Sequence, residues 1–174
     1  MRFVETPLEG VLLVEQERLG DERGYFARTY DRELLPVVVQ MSTSFNVRAG
    51  TLRGLHYQQE PHGESKLVRC TRGAIFDVAV DLRPGSPTRH RWFGAELSAA
   101  NGRSLLIAPG FAHGFQTLVD DTEVLYAMDA PYVAEAARGV RWDDPAFAIP
   151  WPDAPSGGRT MSERDAAYPD VGGA

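Results

Sequence analysis

Lys66-Leu67-Val68-Arg69-Cys70-Thr71-Arg72-Gly73-Ala74-Ile75-Phe76-Asp77-Val78-Ala79-Val80-Asp81 is the stretch on which the fold turns. Two β-rich runs, 66–70 and 74–81, flank Arg72-Gly73, which predicts successive strands joined as a hairpin. Alternation along the second run puts Asp77, Ala79 and Asp81 on one face and Phe76, Val78 and Val80 on the other. The apolar face is expected to meet a second sheet, with the carboxylates lining the opposite side.

Working outward, the same short-strand pattern recurs at 11–14, 25–30, 37–44, 52–58, 91–98, 104–107, 111–118 and 123–128, with Gly, Pro and Asp between the runs. Asp31 caps one helical turn that Pro36 stops. Short strands at near-regular spacing with almost no helical periodicity predict an all-β fold, an antiparallel sandwich or jelly roll. From about residue 145 the chain is poor in strand signals and reads as a loop-rich closure, with a helical turn near Ser162-Glu163-Arg164-Asp165. The expectation is one domain spanning 1–174, since this length suits a single core of ordinary size.

Composition narrows the function. Hydrophobic residues make up 43% and charged residues 24%, as in soluble globular proteins, and no apolar run approaches the ~18 residues of a spanning helix. Met1-Arg2-Phe3-Val4-Glu5 does not have the layout of a secretory signal and Cys70 is the single cysteine, so the cytoplasm is the expected compartment and no intrachain disulfide can form. A formal net charge of −6 disfavours non-specific nucleic-acid binding, whereas a few converging cations, with Arg23, Arg53 and Lys66 the set to test, would hold a small diphosphate locally.

Chemistry concentrates around Thr51-Leu52-Arg53-Gly54-Leu55-His56-Tyr57-Gln58, where an imidazole able to act as a base near neutral pH sits in an apolar run. Arg53 and His56 are three apart and would face opposite ways on a regular strand. If both serve one ligand, the strand has to bulge near Gly54. His62 in a Pro-Gly turn and His90 between two arginines read as solvated. His113, embedded in Pro109-Gly110-Phe111-Ala112-His113-Gly114-Phe115, reads equally as a site residue or a structural one. No closely spaced His/Cys pair favours a metal, and no nucleophile elbow or glycine-rich phosphate loop is present. Acid–base chemistry without a cofactor remains. Tyr126 shares a strand face with Val124 and Met128 and is either a core tyrosine or an acid pointing into a barrel. Asp165 reads by default as a surface cap.

Taken in order, Gly20-Asp21-Glu22-Arg23-Gly24-Tyr25-Phe26, residues 52–58, Lys66-Leu67-Val68-Arg69-Cys70, residues 76–83, Ser86-Pro87-Thr88, Gly110-Phe111-Ala112-His113-Gly114-Phe115, Trp142-Asp143-Asp144-Pro145, Trp151-Pro152 and residues 162–165 resemble the dTDP-4-dehydrorhamnose 3,5-epimerases nearly end to end. The resemblance implies a cupin-type jelly roll that uses no cofactor and acts on a nucleotide-diphosphate-linked 4-keto-6-deoxy sugar as a homodimer. It implies that His56 is the base, Asp165 the carboxylate that orients it, and Tyr126 the acid on the opposite face. Lys66 and His113 would then bind the sugar and its developing enolate oxygen, Arg23 and Arg53 the diphosphate, and Phe26 would wall the site.

The chain departs from the family pattern at Arg28, over Met41-Ser42-Thr43-Ser44-Phe45, at Ala137 where a glutamate is expected, and at Arg164 where a lysine is expected. These are positions for nucleotide or sugar, so the reaction type is better defined than the substrate. A 3,4-ketoisomerase and a non-catalytic sugar-binding cupin are the competing readings.

Overall fold

The computed structural model describes residues 1–155 and 157–172. Its strands are β1 (Arg2–Glu5), β2 (Val11–Glu15), β3 (Leu19–Asp21), β4 (Gly24–Phe26), β5 (Gln40–Asn46), β6 (Leu52–Gln58), β7 (Lys66–Arg72), β8 (Ala74–Asp81), β9 (Trp92–Ser98), β10 (Ser104–Ile107), β11 (Phe111–Thr117), β12 (Thr122–Met128) and β13 (Ala137–Gly139), followed by the single-turn helix α1 (Glu163–Ala166). One sheet runs β1-β2-β10-β7-β12-β5 and the other β13-β6-β11-β8-β9, while β3 and β4 form a separate ribbon. Every strand pairing within these sheets is antiparallel, so the chain is an all-β jelly roll. Among the described residues no helix is long and apolar enough to cross a membrane.

The expected hairpin does not form. β7 pairs with β10 and β12, whereas β8 pairs with β9 and β11, so the two runs belong to different sheets. Gly73 makes the crossing at φ +79°, with a Cβ there coming 2.4 Å from Thr122 Oγ1, a position only glycine fills without strain. The chain arches from one layer to the other, and Val68 and Cys70 meet Ile75 and Ala79 across the core instead of side by side.

The alternation on β8 is as expected, but its covering is not. Ala79 faces the core between the sheets, while Phe76, Val78 and Val80 pack outward against Val140, Phe147, Ile149 and Trp151 of the C-terminal wrap. Trp151 lies edge-on to Phe76 at 5.9 Å and donates its indole N–H to the Trp142 carbonyl at 2.8 Å. The loop-rich closure is therefore the outer layer of the five-stranded sheet. His90 also departs from expectation. It is half-buried with its ring edge-on to Phe147 at 6.1 Å, whereas His62 is exposed.

Two strand boundaries also move. The strand expected over 25–30 ends at Phe26, and the one expected from residue 37 begins at Gln40. Asp31 caps a turn there, accepting the Glu33 N–H on its carboxylate.

The bulge in β6 is present. His113 lies opposite His56 and Phe115 opposite Arg53, so two steps on β11 match three on β6. Arg53 and His56 consequently share a face. Gly54 has φ +138° and lies so close to β11 that a Cβ would approach Gly114 Cα to 2.6 Å.

Candidate active site

The two sheets enclose a cavity of about 550 Å³ lined by His56, Arg53, Lys66, His113, Tyr126 and Asp165, among others. Six of the eight residues expected at the site therefore converge. Arg23 and Phe26 do not line it. They sit on the β3–β4 ribbon, where Arg23 is exposed and ion-paired with Asp21 at 2.6 Å, and Phe26 is 71% exposed. Among the described residues the ribbon forms a two-stranded sheet of its own.

β6 and β11 supply the imidazoles from the five-stranded sheet. His56 Nε2 lies 2.8 Å from Asp165 Oδ1, and the Gly54 N–H donates to Asp165 Oδ2 at 3.1 Å. Asp165 is not a surface cap, being only 5% exposed. The cap of α1 is Ser162, whose hydroxyl accepts the Asp165 N–H at 3.1 Å. Burial alone would raise the Asp165 pKa, but hydrogen bonding and charge from His56, with the Gly54 N–H, outweigh it and hold the carboxyl below the usual range. The ionised carboxylate assigns the proton of a neutral His56 to Nε2 and leaves Nδ1 with a lone pair.

His113 repeats the device one strand away, with Nε2 2.7 Å from Asp77 Oδ1. Both side chains are buried, and desolvation pushes Asp77 up against the opposing influence of His113. His113 faces the cavity and is held from behind by this carboxylate. No role was assigned to Asp77 from sequence, although an inward-facing carboxylate on an otherwise apolar strand was a signal for one.

The six-stranded sheet supplies the opposite wall. Lys66 Nζ pairs with Glu64 at 3.0 Å, a partner two residues away that sequence reading passed over. Tyr126 is hydrogen-bonded to Ser44 Oγ at 3.0 Å and stands edge-on to His113 at 6.3 Å. Desolvation pushes the Tyr126 phenol well above the ordinary tyrosine range, with the Ser44 hydrogen bond opposing, so it carries its proton at neutral pH. Arg53 Nε donates to the buried Asn46 Oδ1 at 2.8 Å, which fixes the guanidinium at the rim. Among the described residues no three His, Cys, Asp or Glu side chains are placed to hold a metal ion.

The departures from the family pattern fall on both sides of the boundary. Ser42, Thr43, Ser44, Ala137 and Arg164 line the cavity, whereas Arg28 is exposed and paired with Asp31, and Met41 is exposed.

The family model described as dTDP-4-dehydrorhamnose 3,5-epimerase matches residues 5–172. A dTDP-4-dehydrorhamnose 3,5-epimerase of Sinorhizobium fredii is 45% identical over 177 residues, covering 98% of this chain and 90% of that protein. The crystal structure of the Bacillus anthracis dTDP-4-dehydrorhamnose 3,5-epimerase, with TDP and PPi bound, superposes with a TM-score of 0.93 at 41% identity, over 98% of this chain and 99% of that one. The dTDP-6-deoxy-D-glucose-3,5-epimerase of Legionella pneumophila, in complex with dTDP-4-keto-L-rhamnose, superposes at 0.91 with 35% identity, over 98% and 93%. With its jelly roll and a match running almost from end to end, the chain belongs to the dTDP-4-dehydrorhamnose 3,5-epimerase family and is a sugar epimerase.

Proposed function

We propose that the chain, acting as one domain and without a cofactor, inverts C3, C5 or both in a nucleotide-diphosphate-linked 4-keto-6-deoxyhexose, by removing and returning a proton through an enolate. The observation that carries this reading is that the base and the acid come from opposite sheets. His56, oriented by Asp165, stands on β6, and Tyr126 stands on β12 across one cavity. Inversion requires deprotonation from one face and reprotonation from the other, and two walls bearing a base and an acid supply both.

A proton next to a ketone is removable only if the charge moving onto the carbonyl oxygen meets preorganised donors. Lys66, held by Glu64, fills that role, His113 joins it as an imidazolium paired with Asp77, a donor on both ring nitrogens, and Arg53 at the rim takes the diphosphate. A relative crystallised with TDP and another with dTDP-4-keto-L-rhamnose support this substrate class. A ketoisomerase moves a carbonyl without inverting a centre, and a sugar-binding module has no use for an acid facing a base.

The test is solvent-deuterium wash-in on dTDP-4-keto-6-deoxyglucose, with label expected at C3, C5 or both; an unlabelled sugar would sink the epimerase reading. Tyr126→Phe will keep exchange from the His56 face and lose inverted product by about 10²-fold or more. Unaltered inversion in that variant would assign the acid to another group.

Arg23 and Phe26 act, in this reading, on a second copy of the chain. Leu19, Tyr25 and Phe26 expose apolar surface on the ribbon, and the outer face of the six-stranded sheet carries an apolar groove at Tyr30, Val38, Met41, Leu67, Leu125 and Ala127. A homodimer covers both surfaces. Sedimentation at micromolar concentration will give twice the chain mass, and a monomer would remove the claim.

A further inference from the structure

We propose that Ser44 returns the proton to Tyr126 after each turnover, acting as a relay between the phenol and solvent; this rests on the role of Tyr126 proposed above. On β5, Ser42 lies directly opposite Tyr126 and Ser44 lies diagonally from it on the same face, opposite Val124. Among the described residues, Ser44 Oγ is the one protein group hydrogen-bonded to the Tyr126 hydroxyl, at 3.0 Å, and either oxygen can be the donor. β5 is the edge strand of its sheet, Ser44 is half-buried and lines the cavity, and its neighbours Ser42 and Thr43 are exposed. Ser44 thus joins a desolvated phenol to the wet side of the site.

The chemistry needs such a link. When Tyr126 protonates the enolate carbon, its O–H bond breaks, a C–H bond forms, and a phenolate is left in surroundings that disfavour charge. Once the C–H bond has formed, the Ser44 hydroxyl passes its own proton to Oη while Oγ takes one from water. His56 meanwhile releases to solvent the proton it removed from carbon, so one C–H is broken, one is formed, and solvent gains and loses one proton. A hydroxyl that can donate in either direction suits both halves of the cycle, whereas a backbone carbonyl in its place would not.

Rapid-quench kinetics on the full chain in D2O tests this, with borohydride added at the quench to reduce the ketone and freeze the stereochemistry. Ser44→Ala should give a first turnover of inverted product close to the wild-type rate, amounting to one equivalent per site. A steady state slower by about tenfold or more should follow, with KM falling alongside kcat so that kcat/KM changes less than about twofold. Ser44→Thr, which keeps a hydroxyl, should restore the steady state to within about threefold. A steady state in Ser44→Ala equal to wild type overturns the relay. A first turnover slowed as much as the later ones also overturns it, because Ser44 would then only place the ring. If the wild-type enzyme itself shows no wash-in, the epimerase reading fails; wild-type wash-in without a burst in Ser44→Ala removes the relay alone.

Discussion

Replacing His56 with alanine will abolish deuterium exchange into the sugar on both the inverted and the returned product, a loss of about 10²–10⁴-fold. The size follows from what no neighbour can replace. His113, its partner across the β6–β11 ladder, points its Nε2 at the buried Asp77 and cannot turn to take over without leaving that carboxylate unpaired. Tyr126 is held protonated by desolvation and does not serve as a base near neutral pH. Since His56 is half-exposed and lines a cavity instead of filling the core, the variant will fold, with its thermal midpoint lowered by the loss of Asp165's partner. A variant that still exchanges within about tenfold of wild type would move the base elsewhere.

Asp165→Asn comes second, with exchange expected to fall by about 10²–10⁴-fold while substrate binding is retained. The carboxylate now accepts from His56 on Oδ1 and from the Gly54 N–H on Oδ2. An asparagine of the same shape can keep the Gly54 bond through its carbonyl oxygen, but it then presents NH₂ to Nε2. The imidazole takes the other tautomer, and the lone pair leaves Nδ1, the nitrogen available to the sugar. The loss should therefore fall on kcat and not on KM, and wild-type exchange would dissolve the pairing.

The same residue predicts an acid limb in stability. Because the folded Asp165 carboxyl titrates below its ordinary value, its contribution is fully present above the unfolded carboxylate pKa of ~3.9 and is lost as pH falls through the lower folded value. The gap in melting temperature between wild type and Asp165→Asn will accordingly close below about pH 4.

The sheets and the loop-rich closure were legible in the sequence because strand alternation is written residue by residue, and the bulge at Gly54 because the odd spacing of Arg53 and His56 demanded one. The pairing of β7 with β8 was misread for a physical reason. A glycine between two strands serves a hairpin and an arch equally well, and the choice is made by partners distant in sequence, β10 and β12 for one strand and β9 and β11 for the other. Cavity-lining residues could be placed through motif resemblance, whereas those that hold them could not. Asp77, Glu64 and Ser44 pair with His113, Lys66 and Tyr126, and their side chains are ordinary until the fold brings the partners together.

The arch at Gly73 has a consequence of its own. By sending β7 and β8 into different layers, it makes the packed interior between them a spacer that sets how far Tyr126 stands from His56. Stacked sheets sit about 10 Å apart, and that gauge is held by the bulk of Val68, Cys70, Ile75 and Ala79, none of which lines the cavity. In the proposed reaction, which ring carbon comes within reach of both walls is then partly a matter of methyl groups in the interior, so stereochemical outcome can drift through substitutions that leave every cavity-lining residue in place.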